Sequence, residues 1–113
     1  MGISGILTNA LEGIAPVQAG DYDPGEDSDE VYIVFNYFTT PDDFGDDEPE
    51  HEVVSVQVHL FCPGGFNSLA MRKRIKKSLD SAGFTFPSAT DLSDRDGQHH
   101  LFECMIAVGA GDE

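Results

Sequence analysis

The histidines and cysteines of this chain are the first candidates for binding a transition-metal ion or attacking a substrate. They are His51, His59, His99, His100, Cys62 and Cys104. Imidazole and thiolate are common zinc ligands, but His99 and His100 are consecutive in a predicted strand and therefore point to opposite faces of a sheet. The two cysteines lie far apart without a CxxC motif, which favours buried free thiols. The sequence predicts histidines that face solvent or a rim, no metal site and no cofactor.

Acidic residues are the next candidates, because carboxylates can coordinate calcium or act as a general acid and base. Residues 21–30 carry closely spaced acidic residues, but the glycine is fifth rather than sixth and no predicted helix flanks the segment. This pattern favours a solvated acidic loop. Because the chain has 21 acidic residues, an apparent acid/base pair carries almost no information. No GxSxG motif, Walker loop or dinucleotide fingerprint occurs, and we expect a protein that is not an enzyme.

The basic residues are concentrated in one short segment. Five of the six lie between residues 72 and 77, in a chain whose net charge is −15. They are Arg72, Lys73, Arg74, Lys76 and Lys77. In a helix they would project away from the side formed by Met71, Ile75 and Leu79. Two interpretations stay open: a solvated helix face that offsets the surrounding negative charge, or a positive ridge through which copies associate head to tail.

The first half of the chain is predicted to contain one helix and two strands. Apolar residues at helical spacing predict a helix with Ser4 as its N-cap, ended by Pro16. After a turn-rich acidic stretch, dense β-branched and aromatic residues predict a strand that starts near Val31. A loop over 39–50 leads to a strand over 51–62, in which apolar residues alternate with polar ones.

The second half is predicted to contain one helix and two extended segments. The helix runs from about Phe66 to Ala82, and Gly83 is suited to a left-handed position at its end. An extended piece follows at 84–89, and Asp96 and Gly97 indicate a tight turn before a last strand. The order of elements predicts an α+β fold, with a mainly antiparallel sheet and two helices packed on one face.

We expect a single domain over residues 1–113, with acidic loops near 20–30 and 40–52. No apolar run is long enough to span a membrane and no signal-peptide pattern is present, so we expect a protein made in a cytoplasm without membrane contact. The net charge of −15 disfavours ordinary binding to nucleic acid or to anionic lipid.

Three segments carry a resemblance to a known family. They are YIVFNYF, VVSVQVHLFC and LAMRKRIKKSLDSAGF, preceded by an amphipathic helix and followed by an acidic turn and a closing strand. In this order they resemble the small tail-terminator, or tail-completion, proteins of long-tailed phages and prophages. The resemblance spans nearly the whole chain.

The resemblance implies a structural virion protein located in the tail or neck and assembled in the host cytoplasm. Such proteins form a hexameric ring on the tail tube, end its polymerisation and join the tail to the head. The implied partners are further copies of this chain, the tail tube protein and a head-completion or connector protein, while genome DNA passes without specific binding. The basic residues between 72 and 77 would meet acidic loops of a neighbour or of the tube. Candidates for an acidic lumen or joining surface are Asp42, Asp43, Asp46, Asp47, Glu48 and Glu50.

Two other classes remain alternatives. A different neck component, such as a head-completion adaptor, would also form a ring but would bind the portal side. An acidic inhibitor that mimics DNA would bind a basic partner tightly and form no ring. The acidity would also suit a protein adapted to high salt.

Overall fold

The structure, a computed structural model, describes residues 2–20, 30–41 and 51–109. Its elements are α1 (Ile3–Leu11), β1 (Val17–Ala19), β2 (Tyr32–Pro41), β3 (His51–Cys62), α2 (Leu69–Ser81), β4 (Ser88–Asp91) and β5 (Gln98–Gly109). The described strands form one sheet in the order β1-β2-β3-β5-β4. Only the β1–β2 pair is parallel, so the predicted α+β fold with a mainly antiparallel sheet is confirmed.

β3 is the central strand and sets the register of its neighbours. It pairs with β5 over its whole length, from His51 opposite Gly109 to Cys62 opposite Gln98. It also pairs with all ten residues of β2. The valines of β3 are β-branched and suit a strand that pairs with a neighbour along each edge. β3 and β5, with twelve residues each, therefore span about 40 Å at the usual rise per residue.

The core lies between the two helices and one face of the sheet. Alternate residues of β3 share this face, as the sequence predicted, and they are Val54, Val56, Val58, Leu60 and Cys62. Ile3, Leu7 and Leu11 of α1 and Ile75 and Leu79 of α2 belong to the same buried cluster. Both helices therefore pack on one face of the sheet, because burial of their apolar stripes removes that surface from water.

Neither helix covers the opposite side of the sheet, which we call the open face. The register places Tyr32, Phe61 and His99 in one row across it, and Val34, His59 and Leu101 in the next. Five of these six side chains are partly exposed, whereas Val34 is buried, with 6 % of its surface exposed. The open face thus combines aromatic, polar and apolar groups in positions that a partner could reach.

Several element boundaries differ from the sequence prediction, and α1 already ends at Leu11 instead of running to Pro16. Ser4 is not the N-cap of α1, since Gly2 holds that position and the Ser4 hydroxyl lies 3.2 Å from the Tyr37 hydroxyl. β2 continues through Thr40 into the segment predicted as a loop, because the β-branched Thr39 and Thr40 suit a strand and pair with β3. β1 was missed altogether: it is three residues long and exists through its pairing with Ile33, Val34 and Phe35.

Helix α2 is shorter than predicted but ends where the sequence indicated. It begins after Ser68 at the N-cap position, and Ala82 is its C-cap. Gly83 follows with φ +103°, a conformation that L side chains rarely adopt, so the prediction for this glycine is confirmed. Within the three described ranges, no helix is long and apolar enough to cross a membrane.

Candidate functional site

The five clustered basic residues all lie on α2, but they do not form one uniform surface. Lys73 and Lys77 are exposed and Lys76 is half-buried. No carboxylate of the described residues lies within ion-pair distance of these three ammonium groups. We call them the lysine face. Their charge is directed away from the sheet, because the buried side of α2 is formed by Ile75 and Leu79.

The two arginines of the cluster are held by other parts of the domain. The Arg74 Nη2 donates to the carbonyl oxygen of Gly13 at 3.1 Å, beyond the end of α1, and so links the two helices. The Arg72 Nε donates to the Ser68 hydroxyl at 3.0 Å, one turn back along α2. A cation near exposed helix carbonyls is favourable, so part of the basic cluster has a structural use that helical spacing alone did not indicate.

The predicted acidic surface lies outside the described residues. Its members Asp42, Asp43, Asp46, Asp47, Glu48 and Glu50 fall within 42–50, and the calcium-like segment falls almost entirely within 21–29. Glu103 is a described carboxylate that belongs to the open face, on β5 opposite Gln57. It is exposed, in contrast to the apolar residues of the covered face.

Glu103 lies in a shallow groove of about 430 Å³ at the margin of the open face. Three large apolar side chains border the groove and are unusually exposed: Phe38 at 57 %, Phe86 at 65 % and Met105 at 48 %. Ser55, Gln57 and Ser88 supply polar groups between them. Clustered apolar exposure of this kind, rimmed by polar groups, is typical of an interaction surface.

A second polar feature lies at the start of α2 around the buried Ser68 and His100, and we call it the polar cluster. Its members are Ser68, Arg72, Asp91, Gln98 and His100. The Ser68 hydroxyl donates to Gln98 Oε1 at 2.7 Å, and His100 Nε2 lies 2.9 Å from the same oxygen. The Gln98 Nε2 donates to the carbonyl oxygens of Pro63 and Phe66. The cluster therefore joins β5, the loop after β3 and the first turn of α2.

The polar cluster contains a serine, a histidine and an aspartate in the order of a catalytic triad. Ser68 Oγ lies 3.4 Å from His100 Nε2, and His100 Nδ1 lies 3.8 Å from Asp91 Oδ1. Because an amide oxygen can only accept, the contact between His100 Nε2 and Gln98 Oε1 requires a proton on that nitrogen. His100 then has no free Nε2 lone pair to take the proton of Ser68, as a general base must.

Burial further favours a structural role for the polar cluster. Ser68 is 2 % exposed and His100 is 5 % exposed, so neither meets a substrate from solvent. Burial lowers the pKa of His100, the Asp91 carboxylate raises it and the Arg72 charge lowers it. The prediction that the histidines face solvent or a rim is wrong for His100, because its side chain lies on the covered face of β5 beneath the start of α2. There the His100 Nε2 donates a hydrogen bond to Gln98 Oε1.

The cysteines also belong to the covered face of the sheet. Both are buried and free, which confirms the sequence prediction. Burial raises the pKa of each thiol to about 11, an effect that the Arg72 charge partly opposes at Cys62. The thiols are therefore protonated at neutral pH and unreactive towards oxidants and metal ions.

His59 and His99 form a contact on the open face that sequence reasoning missed, and we call them the histidine pair. The His59 Nδ1 lies 2.8 Å from the His99 Nε2. The sequence did place His59 on the polar side of its strand, but only the register of β3 against β5 brings the two residues together. His100 points to the other face, as predicted for consecutive strand residues.

In the part of the chain that the structure describes, no group of three or more histidines, cysteines or carboxylates is arranged to hold a metal ion. No protein-family model matches this chain, and no curated protein matches it in sequence.

Proposed function

We propose that this chain is a ring-forming structural protein of the tail-terminator type, which caps a phage tail tube, ends its polymerisation and joins the tail to the head. One observation carries the proposal: the lysine face and the open-face groove are unlike surfaces on opposite sides of the same sheet. A subunit with two such surfaces associates head to tail, and the chain of contacts closes into a ring when the rotation permits.

The chemistry of the two surfaces is complementary. The groove offers an exposed carboxylate, Glu103, between exposed apolar side chains, while α2 presents Lys73 and Lys77 without a described ion-pair partner. A lysine can lay its aliphatic stem along an apolar wall and place its ammonium group beside a carboxylate. Such a contact sets the orientation of neighbouring subunits more than it adds affinity.

The phage assignment rests on the resemblance of the sequence segments together with the α+β fold. It implies the tail tube protein and a head-completion or connector protein as partners, no enzymatic activity and a location in the virion. Acidic residues at 42–50 would line the lumen or a joining surface, where their charge would repel the phosphates of passing DNA.

The proposal is tested by the mass of the protein in solution, measured by light scattering over a wide concentration range with negative-stain imaging of the concentrated sample. We expect closed rings of six subunits. The variant Lys73→Glu/Lys77→Glu should remain folded, with an unchanged circular dichroism spectrum, but should lose the ring and its attachment to purified tail tubes.

Single variants provide a control matched in charge. Lys77→Glu reverses one charge of the lysine face, whereas Arg95→Glu reverses the sixth basic residue of the chain, in the exposed turn before β5. Only Lys77→Glu should weaken assembly. Rings that survive the double lysine variant would refute the role of α2, and binding to heads rather than tubes would favour another neck component. A strict monomer that binds a basic nucleic-acid enzyme would instead favour the inhibitor alternative.

A further inference from the structure

The histidine pair brings two ring nitrogens into contact on the open face. The His59 Nδ1 and the His99 Nε2 are 2.8 Å apart, and the two rings are 5.1 Å apart between centroids. They stand on adjacent strands at diagonal positions, since His59 is opposite Leu101 and His99 is opposite Phe61. Both side chains are partly exposed, so a solute can reach them.

The orientation of the pair is fixed by a stack of rings along the open face. The His99 ring is stacked on Phe61 at 4.4 Å, and the Phe61 ring is stacked on Tyr32 at 4.8 Å. The backbone N–H of His99 also donates to the Ser93 hydroxyl at 3.0 Å, which ties this end of β5 to the preceding turn. The rings are thus held in place before any ligand arrives, which lowers the entropic cost of binding.

The hydrogen bond between the two rings constrains which of the facing nitrogens carries a proton. A contact of 2.8 Å between two ring nitrogens requires one donor and one acceptor, so at most one of the two nitrogens carries a proton. Burial lowers the pKa of both histidines, and for His99 the neighbouring His59 and His100 lower it further. The opposing carboxylates are Glu103 near His59 and Asp94 near His99.

We propose that the histidine pair is a two-imidazole site for a divalent first-row transition ion of the Zn²⁺ or Ni²⁺ class, with water in the remaining coordination positions. A tetrahedral ion at the usual Zn–N distance separates its two nitrogens by about 3.3 Å. The pair therefore has to open by only about half an ångström. The ring that donates in the free protein moves its proton to its other nitrogen by exchange with water, so that both facing nitrogens present lone pairs to the ion.

The chemistry of the ligands determines which ions this site selects. Imidazole suits zinc, nickel and copper, whereas calcium and magnesium require several oxygen ligands. The acidic segments of the chain attract any cation, and they would bind the hard ions Ca²⁺ and Mg²⁺ at least as well as Zn²⁺ or Ni²⁺. Selectivity for Zn²⁺ or Ni²⁺ over Ca²⁺ therefore separates the histidine pair from the general negative charge. This inference is independent of ring assembly.

The test is isothermal titration calorimetry, in which the full chain is titrated with zinc chloride, nickel chloride or calcium chloride. NMR spectra that resolve the histidine ring signals are recorded alongside. We expect one Zn²⁺ or Ni²⁺ ion per chain, perturbation of the ring signals of His59 and His99, reversal by a chelator, and no competition from Ca²⁺. The variants His59→Gln and His99→Gln should each weaken binding at least about tenfold, since each removes one of two ligands.

His51→Gln is the matched control, because residue 51 stands at the other end of β3, about 26 Å along the strand from His59. This variant should retain the binding of the unaltered chain. The NMR measurement needs no variant, so it decides the question even if a substitution disturbs the fold. The proposal is overturned if Zn²⁺ and Ni²⁺ do not bind, if Ca²⁺ displaces them, or if the signals of His59 and His99 do not move.

Discussion

Replacement of Ser68 by alanine tests the structural reading of the polar cluster. The hydroxyl is 2 % exposed and takes part in two well-formed hydrogen bonds, to Gln98 Oε1 at 2.7 Å and from Arg72 Nε at 3.0 Å. Ser68→Ala removes both bonds and very little volume, so the cost comes from hydrogen bonding rather than from a cavity. We expect the variant to fold and to be less stable.

The size of the loss follows from what the remaining partners can do. Gln98 Oε1 keeps its bond from His100, and Arg72 is only half-buried and can take up a water molecule. Loss of one hydrogen bond between neutral groups and one from a charged donor should then lower the unfolding free energy by about 2 kcal/mol in total. Ser68 holds the N-cap position but makes no capping bond with its side chain, so no capping contribution is lost.

The assay is urea unfolding at a protein concentration at which the chain is monomeric, because assembly would add its own stabilisation. With a typical slope for a small domain, a loss of about 2 kcal/mol lowers the urea midpoint by about 1 M and leaves the slope unchanged. Ser81→Ala is the matched control: it changes an exposed serine at the end of the same helix, and we expect a change within about 0.5 kcal/mol. Equal midpoints for Ser68→Ala and the unaltered chain would refute the reasoning.

Two further predictions concern stability. Gly83→Ala should lower the unfolding free energy measured by urea titration by about 1–2 kcal/mol, because Gly83 has φ +103°. Gly13→Ala is the control and should leave this free energy nearly unchanged, since residue 13 has no positive φ and an added Cβ would meet open space. The lowered pKa values of His59 and His99 mean that the folded state binds fewer protons than the unfolded state below the ordinary pKa of 6.5. Their contribution to stability is present above pH 6.5 and is lost as the pH falls through the folded pKa values. The urea midpoint should thus fall more between pH 8 and pH 5 in the unaltered chain than in a His59→Gln/His99→Gln variant; equal falls would contradict this assignment.

The alternation and helical spacing of apolar residues predicted much of the fold. The valines of β3, the buried Ile75 and Leu79 of α2 and the left-handed Gly83 all take the roles that their local patterns indicated. These features depend on the period of the backbone, which a sequence displays directly. β1 carried no such signal, because its three residues are stabilised by a strand that lies more than ten residues further along the chain.

The polar cluster and the histidine pair could not be predicted in the same way. Each joins side chains from segments far apart in sequence: Ser68 contacts Gln98 across 30 residues, and His59 contacts His99 across 40. The sequence supplied the residue types and the face on which His59 lies, but not its partner. The five basic residues appeared equivalent in sequence, and only their contacts separate the two tethered arginines from the three lysines of the lysine face.

The sequence by itself determined the fold class, the buried stripe of each helix, the apolar face of the central strand and the concentration of positive charge on α2. The tertiary structure decided the strand order and the register, and through them which polar groups meet. The physical reason is that side chains alternate with a period of two along a strand, so a shift of one residue exchanges the two faces. The correct register is selected by long-range packing of the whole core, which no local segment contains.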